Sequence, residues 1–393
     1  MAAKFNSPEG ELTDLFISEY EMIDRYVGDR LWSWGTNSYS QLGDNTNNFN
    51  VATRSSPVQT VAAGTNWKAV AANQHTVAVK TDGTLWTWGL GNMGQMGNNT
   101  TTLATSSPVQ TVAAGTNWKQ VAGGYLHTAA LKTDGTLWTW GDNTSYGQLG
   151  DNTVNSRSSP VQTVCAGTDW RSVACGENHT AAIKTDGSLW LWGSGFNGQL
   201  GDNSNVAKSS PVQTVAAGTN WQQADGGGDR MSAIKTDGTL WMWGYNAFGM
   251  LGDNTVDRKS SPVQTVALGT NWKSVAICRY STHALKTDGT LWVWGNGTSG
   301  QLGNNAAVDK SSPVQTVCAG TNWKAVDCGS NGNGAALKTD GTLWVWGYGG
   351  SGGLGNNASV DKSSPVQTVC AGTNWKAVAC GDNHTVAVTY GDA

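Results

Sequence analysis

Charge is scarce in this chain of 393 residues: Asp, Glu, Lys and Arg together make up 13%, about half the usual share. Residues 1–30 hold seven acids (Glu9, Glu11, Asp14, Glu19, Glu21, Asp24, Asp29) and three bases (Lys4, Arg25, Arg30), and residues 31–393 balance 21 acids against 21 bases. A neutral body excludes the clustered Lys and Arg on which phosphate-backbone binding depends, so nucleic acid is not an expected partner. The opening MAAKFNSPEG lacks the apolar core of a signal peptide. No apolar run approaches the length of a membrane span, which argues against membrane insertion. Cysteine is sparse and odd in number, at seven. Three pairs share a ten-residue separation (Cys165/Cys175, Cys318/Cys328, Cys370/Cys380), and Cys278 is left over. Equivalent positions elsewhere carry Ala or Gly, as at Ala62 and Ala72 or Ala113 and Gly123. The cysteines therefore read as small buried side chains in a reducing setting, with a disulfide inside one of those pairs as the alternative. Without Cys-x-x-Cys or His-rich spacing, no metal site and no cofactor is expected.

Tryptophan, by contrast, is abundant and periodic. Leu-Trp-x-Trp-Gly recurs at Trp32, Trp86, Trp138, Trp190, Trp241, Trp292 and Trp344, in steps of 51 to 54 residues. Thr-Asn/Asp-Trp recurs at Trp67, Trp118, Trp170, Trp221, Trp272, Trp323 and Trp375, and the two motifs account for all 21 Trp. Seven of the eight prolines stand in register in Ser-Ser-Pro-Val-Gln-Thr, from Pro57 to Pro365. A period near 52 means one array of stacked units rather than two or three domains.

The third repeat reads as four strands. Leu137–Gly141 alternates its Trp pair with Leu137 and Thr139, and Ser158–Val164 is a second strand whose Pro160 fits an edge or first-residue position, because proline cannot donate to a ladder. Trp170–Cys175 and Thr180–Lys184 complete the set, and Asp186-Gly187 turns the chain into the next Leu-Trp-x-Trp-Gly strand. Seven such units give an all-β chain, a seven-bladed β-propeller of four-stranded blades. The Lys-Thr-Asp-Gly hairpin occurs six times, once fewer than the strand it feeds. The missing hairpin would join His384–Thr389 to Leu31–Gly35, so the ring should close by pairing the N- and C-terminal strands. The propeller then spans residues 29–393. Residues 1–28 lie outside the repeat; Leu12, Leu15, Phe16, Tyr20, Ile23 and Val27 fall at steps of three and four, one apolar face of an N-terminal helical arm. A helix this short must dock on something.

The run Asp-Gly-Thr-Leu-Trp-Thr-Trp-Gly-Asp-Asn-x-x-x-Gly-Gln-Leu-Gly resembles the repeat of the regulator of chromosome condensation (RCC1) family, over roughly residues 29–393. The resemblance implies a seven-bladed propeller. The opening stretch, Phe5 through Gly28, resembles the start of RCC1-repeat proteins of tailed phages of aquatic bacteria. The chromatin member of the family activates a small GTPase through an extra β-wedge, for which no repeat of at most 54 residues leaves room. Nucleotide exchange is therefore not implied here.

Side chains shared by all blades build the blade; a localised function should lie where the copies differ. One such set precedes the fourth strand: Asn73-Gln74-His75, Tyr125-Leu126-His127, Glu177-Asn178-His179, Gly228-Asp229-Arg230, Arg279-Tyr280-Ser281, Asn331-Gly332-Asn333 and Asp382-Asn383-His384. Its candidate contact residues are Gln74, His75, Tyr125, His127, Glu177, His179, Asp229, Arg230, Arg279, Tyr280, Asn331, Asn383 and His384, a ring of loops suited to a macromolecular surface. The bland alternative makes each His a loop-fixing hydrogen-bond partner. A second set follows Trp-Gly and carries Tyr39, Met93, Tyr146, Phe196, Tyr245, Phe248 and Tyr348, as contact anchors or as covers for the gaps between blades. The Leu-Gly-Asp-Asn loops lack the spaced acids and closing Glu of a calcium site and read as turns. Carboxylates and hydroxyls that recur in six or seven copies do not form a catalytic constellation, so no enzyme is expected. The leading expectation is a structural component of a phage virion, displayed by the arm. The alternatives are a cytosolic propeller capturing a host protein through one loop face, and an adhesion module binding a cell-surface glycan.

Overall fold

The computed structural model describes residues 29–46, 53–61, 66–113, 115–165, 167–216, 218–267, 269–318, 320–369 and 372–391. The helical arm expected over residues 1–28, with Leu12, Leu15, Phe16, Tyr20, Ile23 and Val27, lies outside them. The described residues form 28 strands, numbered β1–β28 in chain order, in seven antiparallel four-stranded sheets. Blade I shows the plan: β3 (Trp67–Ala72), β4 (His75–Lys80), β5 (Leu85–Leu90) and β6 (Ala104–Gln110) pair in that order. Blades II to VI repeat it, with inner strands Trp118–Gly123, Trp170–Cys175, Trp221–Gly227, Trp272–Ile277 and Trp323–Cys328. Blade VII is composite. β27 (Trp375–Cys380) and β28 (His384–Thr389) come from the end of the chain, β1 (Arg30–Gly35) and β2 (Arg54–Gln59) from its start. β1 and β28 pair in unbroken register from Arg30↔Thr389 to Gly35↔His384. This is the closure that the missing hairpin predicts.

The seven inner strands neighbour one another around a central channel. Pro160 lies in an outermost strand, Arg157–Gln162, where the ladder breaks between Arg157 and Val161. A residue without an amide proton is tolerated in such a break.

Each apolar cluster straddles two blades. Ala129, Leu131 and Leu137 of blade II pack on Trp170, Val173, Ala182 and Trp192 of blade III. Within a blade the Thr-Asn/Asp-Trp indole meets the second indole of Leu-Trp-x-Trp-Gly, as Trp118 meets Trp140 with centroids 6.2 Å apart. Turn chemistry fixes the first indole. Asp134 Oδ1 accepts from Thr136 N and Oγ1, and Thr136 Oγ1 accepts from Trp138 Nε1. Lys132 Nζ then lies 4.8 Å and 4.6 Å from the Trp118 and Trp138 rings. In blade VII that register belongs to Thr389, which accepts from Trp32 Nε1 at 3.3 Å. The Leu-Gly-Asp-Asn loops are turns: Asp151 Oδ1 accepts from Thr153 N and Oγ1, and Asn152 adopts φ +60°.

The cysteines depart from expectation. Cys278, the unpaired one, is bonded to Cys328 of the next blade. Cys165, Cys175, Cys318 and Cys380 are free thiols, and Cys370 lies outside the described residues. A ten-residue pair cannot bridge because an inner strand separates its members. Cys165 sits beside Trp170 at one end, where its carbonyl accepts from the indole, and Cys175 is at the other end, about 17 Å away at strand rise.

Candidate functional site

Antiparallel pairing places the turns between β3 and β4 and the long links between β5 and β6 on one face of the disc in blade I, and the same holds in every blade. Backbone bonds tie the two loop sets together, as where Asp142 N donates to Leu126 O and Asn296 N to Tyr280 O. The Trp-Gly corner makes that approach close: Gly141 holds φ +106°, and a Cβ there would stand 2.5 Å from Leu126 O.

The structure separates the candidate ring into two layers. Its deeper members begin strands instead of ending loops, since the strand expected from Thr180 starts at His179. His75, His127, His179, Arg230 and His384 are fully buried between blades, because blades cover both faces of such a strand. They form an interblade belt and present nothing to a partner. His75 Nε2 lies 2.7 Å from Thr128 Oγ1 of the next blade, and Thr128 Oγ1 donates to Gln95 O, which also accepts from Trp140 Nε1. A hydroxyl that donates to the carbonyl must accept from the imidazole, so the proton resides on Nε2. His127 with Thr180 and His384 with Thr76 repeat the unit at 3.0 Å each. Burial pushes His75, His127 and His384 down to about 3, which keeps them neutral. In blade IV, Arg230 reaches Thr282 Oγ1 at 3.2 Å and the carbonyls of Cys278 and Ser281. Burial lowers its value to about 9, so it stays charged at neutral pH. Asn333 Nδ2 reaches Thr385 Oγ1 at 3.3 Å. At the register of that Thr, blades IV and VI carry Met231 and Gly334, neither of which offers a hydroxyl.

The outer layer gathers over the mouth of the channel. Arg279 is exposed, and its Nε lies 3.2 Å from Glu177 Oε1, so blade V reaches blade III. Burial opposes the charge on Arg279, but Glu177, Tyr280, Asp382 and Tyr125 raise its value overall. Burial also raises Glu177, Asp382 and Tyr125, whose fields overlap here. Gln74 is buried and donates to Asp382, and Asn331 donates to Asn383. Asp229 accepts from Asn197 Nδ2 at 3.0 Å and Gln199 Nε2 at 3.2 Å. Around this patch Tyr39, Phe196, Tyr245 and Tyr348 are exposed. Tyr146 packs edge-on against Phe196 at 5.8 Å, and Phe248 against Tyr280 at 6.3 Å.

Sequence reading missed the channel acids. Asp225 and Asp327 replace the Ala found at Ala71, Ala122, Ala174, Ala276 and Ala379. Each carboxylate accepts a backbone N–H of the next blade at 2.7 Å, from Ile277 and from Cys380. Burial lifts Asp327 to about 7, and burial together with the Asp327 charge raises Asp225 well above the ordinary range. Two acids in an otherwise alanine register were the available signal.

The profile of the RCC1-like domain family matches residues 30–387. The chain is similar to the ultraviolet-B receptor UVR8 of Arabidopsis thaliana, 31% identical over 347 residues, which are 86% of this chain and 77% of that protein. It is also similar to the human E3 ubiquitin-protein ligase HERC2, 28% identical over 378 residues, 93% of this chain but only 8% of the ligase. Of the solved structures, Saccharomyces cerevisiae Prp20p, studied for its binding to Gsp1p and histones, superposes with a TM-score of 0.81 at 20% identity, covering 94% of this chain and 93% of Prp20p. Human WBSCR16 gives 0.80 at 23% identity, covering 93% and 100%. These relatives are eukaryotic and lend no support to the phage resemblance of the opening stretch. A matched profile spanning nearly all seven blades, together with the shared fold, places this chain in the RCC1-like domain family.

Proposed function

We propose that this chain is a non-enzymatic docking propeller that captures a protein partner on the face carrying Arg279, Tyr280, Phe196, Tyr245, Tyr39 and Tyr348. The observation that carries this reading is the distribution of variation. The side chains that differ between blades and reach the surface gather on this face, whereas the opposite face repeats Lys-Thr-Asp-Gly and Gly-Thr-Asn/Asp-Trp almost unchanged. Aromatic side chains around an Arg are the composition of interface anchors. Prp20p, which shares the fold, binds the proteins Gsp1p and histones. That favours protein capture over the virion and glycan readings. The buried belt holds the blades in one arrangement, so the face is pre-organised and loses little freedom on binding.

The test is affinity capture by the full chain, with Arg279→Glu, Tyr280→Ala and Phe196→Ala combined in one variant and Val266→Asp on the opposite face as control. The triple variant should lose at least about tenfold in affinity for the partner that the parent retains, and the control should not. Capture undiminished in the triple variant and lost in the control would put the partner on the other face.

A further inference from the structure

Blades V and VI meet through a set of departures from the repeat that converge on one buried point. Blades II, III and VII carry Gly124, Gly176 and Gly381 where blade V has Cys278. Those positions are Gly because the imidazole lies over them: a Cβ at Gly124 would stand 2.0 Å from His127 Cε1. Blade V has the small Ser281 in place of that His, which opens room for the Cys278 side chain. It also has His283 where blades I to III carry Val77, Ala129 and Ala181. Blade VI has Gly334 where five other blades carry Thr, and a Cβ at Gly334 would press on His283 Cε1 at 2.7 Å. The space vacated by the Thr therefore holds the His283 ring.

The result is a cluster of ligand atoms. Cys278, Cys328 and His283 are fully or nearly fully buried, and their Sγ, Sγ and ring nitrogen all lie within 4.8 Å of one another. His283 Nε2 is 3.9 Å from Cys278 Sγ, and Ser281 Oγ is 3.2 Å from that sulfur and 3.3 Å from Nε2. A tetrahedral zinc ion with Zn–S of about 2.3 Å and Zn–N of about 2.0–2.1 Å separates its sulfur and nitrogen ligands by about 3.6 Å. A disulfide alone would require the two Cys and space for them, but neither His283 nor Gly334.

We propose that the dithiol form of Cys278 and Cys328, with the imidazole of His283 and the hydroxyl of Ser281 at the remaining corners, is a binding site for one zinc ion. The Cα atoms of the two Cys are 5.3 Å apart, at the ends of neighbouring inner strands of two blades, so the thiols still face each other when the bond between them is open. Binding exchanges two thiol protons for the ion, giving a neutral Zn(S)2 unit that suits a buried site. Ligation moves the imidazole proton from Nε2 to Nδ1, and Gln301 O, which now accepts from Nε2, keeps its bond from Trp346 Nε1 at 3.0 Å. Soft thiolates with one imidazole favour zinc over magnesium or calcium.

The experiment uses the full chain treated with a water-soluble phosphine. The phosphine supplies two electrons to the disulfide, water supplies two protons to the thiolates and its oxygen to the phosphorus, and the phosphine leaves as its oxide. Zinc is then titrated against a chromogenic chelator, and cobalt(II) is added to a parallel sample. One equivalent of zinc should be retained, and cobalt should give the thiolate-to-metal charge-transfer absorption of two sulfur ligands. His283→Ala should weaken zinc by more than about 100-fold, and Cys328→Ser should remove the charge-transfer signature. Circular dichroism and elution volume establish that each variant is folded, and the parent titration needs no variant. Absence of stoichiometric zinc in the reduced parent, or zinc binding undiminished in His283→Ala, overturns the proposal and leaves a structural disulfide with His283 standing in for the missing Thr.

Discussion

Lowering the pH from 7.5 to 5.0 should strip this propeller of stability, and the size of the loss follows from where its histidines are. All five are fully buried. Burial, with smaller contributions from neighbouring charges, lowers His75, His127, His283 and His384 to about 3 and His179 to about 4. The unfolded chain, with histidines near 6.5, takes up protons below that pH and the native chain does not, so stability present above pH 6.5 drains away as the pH falls. Each histidine costs about 2 kcal/mol over this interval, on the order of 10 kcal/mol for the five. Asp327, lifted to about 7, and Asp225, raised well above its ordinary range, work in the opposite sense because the native state binds their protons first. Asp327 returns about 2.5 kcal/mol of this, and Asp225, Glu177 and Asp382, also raised by burial, return a further part, so the net loss is smaller than the histidine total. Urea titrations followed by tryptophan fluorescence at the two pH values measure it directly. A midpoint that is unchanged or higher at pH 5.0 would refute the reasoning. So would an imidazole proton resonance that titrates near 6.5 in the folded protein.

Further consequences can be checked one residue at a time. Asp327→Asn removes one of the compensating protons, so its stability should fall about 1.4 kcal/mol per pH unit more steeply than the parent's between pH 6.5 and 5, in the same urea series. Thr180→Val keeps the shape of the side chain but leaves His127 Nε2–H without an acceptor and takes one donor from Gln148 O. The cost should be about 1–3 kcal/mol, read as a lowered urea midpoint with unchanged slope. Gly141→Ala forces a Cβ against Leu126 O at φ +106°. It should lose at least about 2 kcal/mol, seen as a lower thermal midpoint and faster amide exchange in Leu137–Gly141.

How much of this was legible beforehand depends on how local each feature is. The blade was readable because its signals sit within a few residues: the Trp-x-Trp alternation, the Asp-Gly turn, the proline of the outer strand. Even ring closure showed, through one absent Lys-Thr-Asp-Gly beside Thr389. The burial of His75, His127, His179, His384 and Arg230 was not readable from alternation, because blades stack on both sides of each strand and polar side chains satisfied across a blade boundary look the same as exposed ones. The Cys278–Cys328 bond spans 50 residues, one full repeat, so local spacing suggested the wrong partners. Glu177 and Arg279 stand two repeats apart, and that distance likewise hides their convergence over the channel. What does reveal such sites is comparison of the copies: Asp225 and Asp327 among alanines, or Cys278 and Ser281 among Gly and His.

The claim on which the account turns is that the variable loops, and not the conserved ones, meet the partner. A photo-crosslinking amino acid placed at Tyr280, and separately at Val266 on the opposite face, tests it in cells of the source organism. The account predicts a discrete crosslinked protein from position 280 and none from 266. A crosslink from 266 alone would contradict it.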